Sequence, residues 1–167
     1  MSVAAGIRNK EHARIISNIH SFATFADQSA FAYLGRLFSE EVVIDYTSVF
    51  GGEPATVNRK ALIRQWAGLQ PGFDNTLHNL SGIQIEQSEN HATVTADVTA
   101  SHFIGSDGFW QISGRYRFEM EKTSSDWTIH ALTLRASGEQ GNREIFYRAM
   151  ERAPQNLAAK ESRKLML

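Results

Sequence analysis

The segment HATVTADVTASHF, residues 91–103, alternates apolar and polar side chains without a break. A period of two in a run rich in β-branched residues predicts a half-buried strand. The row expected to face the interior is small and apolar and ends in a histidine: Ala92, Val94, Ala96, Val98, Ala100 and His102. The opposite row is polar, with Thr93, Thr95, Asp97, Thr99 and Ser101. Because protein interiors are densely packed, the small inner row must either meet a bulky helix or leave a cavity.

Four strand-like segments follow one another between residues 76 and 136. They are TLHNLSGIQIEQ, HATVTADVTASHFI, FWQISGRYRFEMEK and DWTIHALTLRA, and the connections between them are only a few residues long. A parallel return needs a crossover of about a dozen residues or more, so these strands are predicted to pair antiparallel. The third segment has one nearly apolar row, formed by Trp110, Ile112, Gly114, Tyr116, Phe118 and Met120.

The chain before this meander is predicted to contain helices, one strand and a loop. Apolar residues recur at helical intervals over residues 7–38, with a break at DQS where Asp27 or Ser29 could cap a second helix. A strand is predicted over residues 40–46, and the glycines and proline of SVFGGEPATVN predict a loop after it. Asn58 is the expected N-cap of a helix at RKALIRQWAGL.

This order of elements predicts an α+β fold, with helices gathered on one face of a strongly curved antiparallel sheet. We expect one domain over residues 1–140 and a C-terminal helix and tail over residues 141–167. The last helical pattern covers NREIFYRAMERA, and Pro154 is expected to end it.

Composition and charge argue against several classes of function. The 167 residues suit one domain, and a formal net charge of -1 gives no long-range attraction for nucleic acid. The chain has no cysteine, which excludes disulfides, thiolate nucleophiles and Cys-ligated zinc. Without a signal-peptide core or an apolar run of ~18 residues, we expect no membrane partner and a cytoplasmic protein.

Residues 45–81, DYTSVFGGEPATVNRKALIRQWAGLQPGFDNTLHNLS, combine several short motifs. A strand ends in an aspartate and an aromatic residue, a Gly-Gly loop and a helix containing arginine and tryptophan follow, and PGFDNTLH leads into the next strand. With ASHF, GRYRFEME and DWTIHALTLR, the chain resembles the SnoaL-like branch of the nuclear transport factor 2-like (NTF2-like) superfamily over about residues 7–136. Its pattern is most similar to that of scytalone dehydratase-type members.

The resemblance implies a cone, in which a curved antiparallel sheet wraps around N-terminal helices and encloses a deep apolar pocket. It implies catalytic positions at Asp27, Tyr46, His78 and His102. Such enzymes commonly carry a helix tyrosine at or just before the aspartate, whereas this chain has Phe22 and Ala26 there, so one donor to a substrate carbonyl is missing. Pocket-lining roles are expected for Phe22, Phe50, Trp66, Trp110, Tyr116 and Phe118.

The resemblance also bears on the surfaces of the molecule. Superfamily members often pair through the convex sheet face, so we expect a homodimer through the Thr-rich row, with solvent exposure as the alternative. In some dehydratases a C-terminal segment covers the pocket. The apolar stripe expected to do so here is Ile145, Phe146 and Met150, although the final residues fit a frayed tail equally well.

Proton chemistry next to a carbonyl group suits the four catalytic candidates. Water elimination or isomerisation needs a base and a donor to the enolate oxygen, and dehydration also needs an acid. We expect Asp27 to orient His102 and favour its protonated form as the acid, His78 to be the base, and Tyr46 to orient the carbonyl. No cofactor is expected, and the absence of HxxxH, HxH, GxGxxG and GxxxxGK patterns argues against metal and nucleotide sites.

The predicted function is a cofactor-independent lyase (dehydratase) or isomerase for a hydrophobic cyclic hydroxy-carbonyl compound. The alternative is a binding protein that holds a small hydrophobic molecule without turnover. His78 distinguishes them, because strand parity places it opposite Ile83 and Ile85, and only a bulge, for example at Gly82, would turn it inward. Plainer roles stay open for the others: a core histidine at His102, a helix cap at Asp27 and an edge aromatic at Tyr46.

Overall fold

A computed structural model describes residues 3–124 and 126–165. The helices within these ranges are α1 (Val3–Asp27), α2 (Phe31–Gly35), α3 (Thr47–Phe50), α4 (Arg59–Ala67) and α5 (Ile145–Leu165), with a short 3-10 turn at Gln70–Gly72. The strands are β1 (Phe38–Asp45), β2 (Ala55–Asn58), β3 (Asn75–Ser88), β4 (His91–Ile104), β5 (Gly108–Thr123) and β6 (Asp126–Gly141). None of the described helices has both the length and the apolarity needed to cross a bilayer.

The strands form one curved sheet in the order β2-β1-β6-β5-β4-β3. The meander from β3 to β6 is antiparallel throughout, as predicted. Strand β1 departs from the expected all-antiparallel sheet because it pairs with β6 in parallel. Two elements lie in the segment predicted to be a loop, namely α3 and the edge strand β2. Strand β2 has only four residues and no buried row, so its sequence carries no strand period.

Helix α1 lies against the inner face of this sheet. Its buried residues recur at helical spacing, at Ile15, Ile19, Phe22 and Ala26. The inner rows of β4 and β5 are buried in the same core, which confirms the α+β fold and the alternation read from residues 91–103. Helix α4 starts as predicted, since the side chain of Asn58 accepts a hydrogen bond from the backbone N–H of Ala61 at 2.7 Å.

Strand β3 changes its inward face at a bulge. Between Ser81 and Gln84 its register with β4 shifts, so β3 contains one more residue than β4 across this step. Gly82 lies in the shift with a φ of 59°, a left-handed conformation that glycine adopts without steric cost. The predicted bulge is therefore confirmed, and His78 faces inward on one side of it while Ile85 does so on the other.

Helix α5 continues through Pro154, so the prediction that this proline ends the helix is wrong. Proline removes one helical hydrogen bond, but contacts on both sides of it hold the helix in place. Ala149 lies so close to the 3-10 turn that a Cβ on Gly72 would come within 1.7 Å of its carbonyl oxygen. Beyond the proline, the Asn156 side chain donates to the carbonyl of Pro71 at 2.8 Å. The side chains of the predicted tail from residue 161 onward lie outside the described residues.

Candidate active site

The carboxylate of Asp27, at the end of α1, lies against the start of β3. It accepts hydrogen bonds from the backbone N–H of His78 at 3.0 Å and from the hydroxyl of Thr76 at 2.9 Å. His78 Nδ1 lies 2.7 Å from Asp27 Oδ1, and the His78 side chain is 8% exposed. No described side chain caps the start of α2, so Asp27 does not take the capping role that was left open.

The partners of Asp27 fix its charge and the tautomer of His78. Burial alone would raise the pKa of Asp27, but the hydrogen bonds from His78 and Thr76 keep that pKa below its ordinary value, so the carboxylate is ionised. An ionised carboxylate only accepts hydrogen bonds, which means that Nδ1 of a neutral His78 carries the hydrogen. The lone pair is then on Nε2, in a side chain that lines the cavity.

His102, on the neighbouring strand, has a different partner. It is 6% exposed, and its Nδ1 lies 3.0 Å from the carbonyl oxygen of Trp110. A carbonyl only accepts, so Nδ1 again carries the hydrogen and Nε2 the lone pair. Burial lowers the pKa of His102 to about 4, while the hydrogen bond to Trp110 acts in the opposite direction. His102 is therefore neutral at physiological pH.

The predicted pairing of Asp27 with His102 is wrong. In the register of the two strands, His78 lies opposite Ala100 and His102 lies opposite Thr76. Helix α1 packs on β3, so the carboxylate at its end meets the histidine of β3. The acid role proposed for His102 loses its basis, because a neutral imidazole whose N–H is donated to a backbone carbonyl has no proton to give.

The two imidazoles nonetheless meet on one wall of one cavity. Their ring centroids are 6.1 Å apart and the ring planes are nearly perpendicular, at 82°. Asp27 binds one of them, and Tyr46, which follows β1, lines the same cavity. The fold thus brings together all four residues predicted to be catalytic, from a helix, a strand end and two neighbouring strands.

Two tyrosines supply hydroxyl groups to this cavity. Tyr46 and Tyr116 both line it. Burial raises the pKa of Tyr46 well above its ordinary value and raises that of Tyr116 to about 12. Both phenols are therefore uncharged donors near neutral pH. Tyr116, expected only as a lining residue, adds a second hydroxyl that the sequence interpretation had not used.

The cavity has a volume of about 520 Å³ and is mostly apolar. Five of the six residues predicted to line it do so: Phe22, Phe50, Trp66, Trp110 and Tyr116. The prediction for Phe118 is wrong, since this ring is fully buried and packs edge-on against Phe22 with centroids 5.3 Å apart. Phe118 shares its strand face with Tyr116 but lies two residues further into the closed core. Among the described residues, no three His, Cys, Asp or Glu side chains are grouped to hold a metal ion.

Helix α5 contributes part of the cavity wall. Phe146 and Met150 line the cavity, as the apolar stripe predicted, whereas Ile145 is buried in the core. Two further residues of the site were not predicted: Thr76, which donates a hydrogen bond to Asp27, and Ala100, which lines the cavity beside the histidines. Thr76 shares its strand face with His78, so the period of two was the available signal for it.

The convex face carries the predicted polar row. Arg115 donates to Asp97 at 2.9 Å and to Thr95 at 2.9 Å, so cross-strand pairs tie β4 to β5 on this face. Leu77 and Phe103 are exposed apolar side chains of β3 and β4. Pairing of two copies through this face stays a prediction.

Comparison with known proteins agrees with this architecture. A protein from Kribbella flavida is 26% identical, with a TM-score of 0.76 over 85% of this chain and 99% of its own. A candidate scytalone dehydratase from Novosphingobium aromaticivorans is 22% identical, with a TM-score of 0.73 over 83% of this chain and 92% of its own. The hexachlorocyclohexane dehydrochlorinase LinA-type3 from Novosphingobium barchaimii is 14% identical, with a TM-score of 0.65 over 81% and 92% of the two chains.

At the identities of the last two structures, the likeness shows the fold alone. A search of curated proteins gave no significant sequence match. The model of the SnoaL-like domain matches residues 9–133, which is more than half of the chain. The predicted resemblance is thereby confirmed, and the protein belongs to the SnoaL-like domain family.

Proposed function

We propose that the protein is a cofactor-independent lyase or isomerase that removes a proton next to the carbonyl of a hydrophobic cyclic hydroxy-carbonyl compound. The observation that carries this proposal is the 2.7 Å contact between Asp27 and His78 at the wall of an apolar cavity. A carboxylate that fixes the tautomer of an imidazole also stabilises the imidazolium formed when the imidazole accepts a proton. His78 Nε2 is therefore the proposed base.

The two phenols suit the oxygen of the enolate that forms. Removal of the proton moves negative charge onto the carbonyl oxygen, and a preorganised neutral donor stabilises that charge most effectively in a site shielded from water. Tyr46 is the donor predicted from the sequence. Tyr116 is a second donor, in a chain that carries Phe22 and Ala26 where a helix tyrosine was expected.

For a β-hydroxy ketone, the proposed reaction is a dehydration in two steps. His78 Nε2 takes the α proton, and the electron pair of the broken C–H bond forms the enolate. When the enolate collapses, the C=C bond forms, the C–O bond breaks, and the departing hydroxide takes the proton from His78 and leaves as water. In an isomerisation, His78 would return the proton to another carbon. His102 Nε2, an acceptor in both cases, would orient the substrate by accepting a hydrogen bond from its hydroxyl.

A binding protein without turnover is the second candidate. It is favoured by the state of His102, whose N–H is donated to the carbonyl of Trp110 and which is neutral. Of the two imidazoles described at the site, only His78, after it has acted as the base, would then carry a proton for the departing hydroxide. A ligand holder would need none of this chemistry, only the apolar lining and the hydrogen-bonding groups.

Proton exchange in heavy water tests the step that dehydration and isomerisation share. β-Tetralone, a bicyclic ketone with acidic α protons, is incubated with the protein, and loss of the α-proton signal is followed by NMR. We expect the wild-type protein to accelerate exchange and His78→Gln to lose the acceleration while still binding the fluorescent ligand β-naphthol. Cyclic β-hydroxy ketones, followed by the absorbance of the conjugated product, then distinguish dehydration from isomerisation.

Two results would count against the enzyme proposal. If the wild-type protein binds β-naphthol but exchanges no ketone proton, the binding protein is the better description. If His78→Gln exchanges protons as fast as the wild type, another group is the base.

A further inference from the structure

An ion pair near the mouth of the cavity is joined to His102 by a continuous series of contacts. Glu139, near the end of β6, binds Arg143 in a bidentate pair with both N–O distances at 2.7 Å. Glu139 Oε1 also accepts a hydrogen bond from the indole N–H of Trp110 at 2.8 Å. The Trp110 ring stacks on His102, with centroids 4.7 Å apart and planes 28° apart. The charged pair therefore reaches the site through a single aromatic side chain.

Arg143 extends the same set of contacts to the other side of the mouth. Its Nη1 donates to the carbonyl of Val49 in α3 at 2.6 Å, and its guanidinium lies 5.9 Å from the ring centroid of Phe50. Three rings that line the cavity are in mutual contact and are called here the mouth cluster: Phe50, Trp110 and Phe146. Their centroids are 5.1 to 6.4 Å apart. Glu139 and Arg143 thus connect α3, β5 and the start of α5.

Trp110 holds His102 at two points. Its backbone carbonyl accepts the hydrogen bond from Nδ1, and its side chain covers the imidazole face. The carbonyl is fixed by the sheet, whereas the indole is held by packing against neighbouring rings and by the one hydrogen bond that its N–H makes. Glu139 accepts that bond. The pKa of Glu139 is lowered to about 2, mainly by the hydrogen bond from Arg143; burial raises this pKa, and the hydrogen bond from Trp110 lowers it further. The indole is therefore held by an ionised acceptor, the stronger type of hydrogen bond.

A role in stability alone accounts poorly for this arrangement. The side chains of Arg143 and Glu139 are 41% and 35% exposed, and exposed ion pairs usually add only about 0–1 kcal/mol to stability. Each of the two side chains also has a second hydrogen-bond partner in a residue that lines the cavity: Trp110 for Glu139 and Val49 for Arg143.

We infer that Glu139 and Arg143 are positioning residues of the site, which hold the mouth cluster in place and, through Trp110, fix the ring plane of His102. The effect on ligands rests on the proposed function, since it assumes that small molecules occupy the cavity. The effect on Trp110 is measurable without a ligand, so the two proposals can fail separately.

The chain offers a matched control for this inference. Arg152 pairs with Asp74 at 2.7 Å, with side chains 36% and 41% exposed, and also ties α5 to a strand end. In the described parts of the chain it has no hydrogen bond to the mouth cluster. Arg152→Ala therefore removes a comparable ion pair from α5, the helix that follows Arg143, without releasing Trp110.

The test compares Glu139→Ala, Glu139→Gln and Arg152→Ala by solvent exchange of the Trp110 indole N–H and by binding of β-naphthol. The indole signal is assigned in the NMR spectrum through Trp110→Phe. In Glu139→Ala we expect exchange to accelerate and binding to weaken, each about tenfold, as for loss of a hydrogen bond to a charged group. Glu139→Gln keeps an oxygen acceptor, so most of the slow indole exchange and most of the affinity for β-naphthol should be retained. Arg152→Ala should leave both within about twofold of wild type.

Arg143→Ala separates the two sides of the network. It leaves Glu139 bound to the indole but releases Val49 and Phe50, so binding should weaken while indole exchange stays near the wild-type rate. Unchanged indole exchange in Glu139→Ala would overturn the inference, as would equal effects of Glu139→Ala and Arg152→Ala, which would indicate general loosening of α5. Failure of the wild-type protein to bind β-naphthol would count against the proposed function, while indole exchange would still decide the role of Glu139.

Discussion

Strands β3 and β4 each bring one histidine to the cavity, but by different routes. Strand β4 alternates without interruption, and His102 lies on its inner face because every second residue does. Strand β3 alternates in two halves that are out of phase, joined at Gly82, and His78 faces inward only because of that bulge. The regular strand gives its histidine a backbone partner, and the irregular strand gives its histidine a carboxylate partner.

The partners decide what each imidazole can do. A carbonyl fixes the tautomer of His102 but offers no full negative charge, and burial then lowers its pKa to about 4, which suits a hydrogen-bond acceptor. Asp27 fixes the tautomer of His78 and also places a negative charge beside any imidazolium that forms. Two histidines with ring centroids 6.1 Å apart are therefore suited to different tasks, base and acceptor.

The largest expected effect comes from removing the charge that distinguishes the two histidines. In Asp27→Asn the amide can neither stabilise an imidazolium nor fix one tautomer of His78. By analogy with the buried aspartate of a serine-protease triad, we expect the rate of proton exchange to fall by about 10³- to 10⁴-fold. Exchange of β-tetralone protons in heavy water measures this rate, and circular dichroism confirms that the variant is folded.

The control for this prediction is Asp97→Asn on the convex face. Asp97 also accepts a charged hydrogen bond, from Arg115, but it is exposed and lies on the opposite side of the sheet. We expect this variant to keep the wild-type exchange rate. If Asp27→Asn kept it as well, the carboxylate would be a structural partner of β3 and His78 would need no charged neighbour.

The pH dependence of stability tests the other histidine. His102 has a pKa of about 4 in the folded protein against an ordinary value of 6.5, so between these values the unfolded chain binds more protons than the folded protein. The free energy of unfolding should be highest above about pH 6.5 and fall by about 3 kcal/mol as the pH drops to 4, since one pKa unit corresponds to about 1.4 kcal/mol. Asp27, with a pKa below 3.8, adds its own loss only below this window.

Urea denaturation across this pH range measures the effect. His102→Gln should reduce the slope, because it removes the group that must stay neutral in the folded state. His20→Gln, at an exposed position of α1, is the matched control and should keep the wild-type slope. A slope that persists in His102→Gln would assign the loss of stability to other groups and leave His102 without the buried, neutral state described here.

The same comparison explains what could be predicted from the sequence. Unbroken alternation placed His102 correctly, and the phase conflict between His78 and Ile85 pointed to the bulge. Both signals are local, because each comes from the strand period or from a glycine within a few residues of the histidine. The partner of Asp27 was predicted wrongly because it depends on where the end of α1 lies over the sheet, which no local pattern reports.

Other errors have the same cause. Phe118 and Tyr116 share one strand face and both pack edge-on against Phe22, yet only Tyr116 lines the cavity, a difference that the strand period does not report. A proline usually ends a helix, but α5 continues through Pro154 because contacts such as that of Asn156 with the 3-10 turn hold it in place beyond the proline. Tertiary contacts determine these features, so they became visible only in the folded structure.

The smallest expected effect concerns the bulge itself. In Gly82→Ala, a side chain is forced into a left-handed conformation, and its Cβ would lie 3.0 Å from Asp97 Oδ2. Gly138 in β6 is the matched control, since it lacks this conformation and a Cβ there would meet nothing within 4 Å. We expect Gly82→Ala to lose about 1 kcal/mol more of the free energy of unfolding than Gly138→Ala, as measured by urea denaturation.

The chemistry should change less than the stability in this variant. Moving the extra residue of β3 elsewhere would turn either His78 or Ile85 to the wrong face, which should cost more than the strain at residue 82. The bulge is therefore expected to stay in place, with His78 still bound to Asp27 and proton exchange within about twofold of wild type. Equal stability of Gly82→Ala and Gly138→Ala would show that β3 changes face without a left-handed residue, and the distinction drawn between the two strands would lose its physical basis.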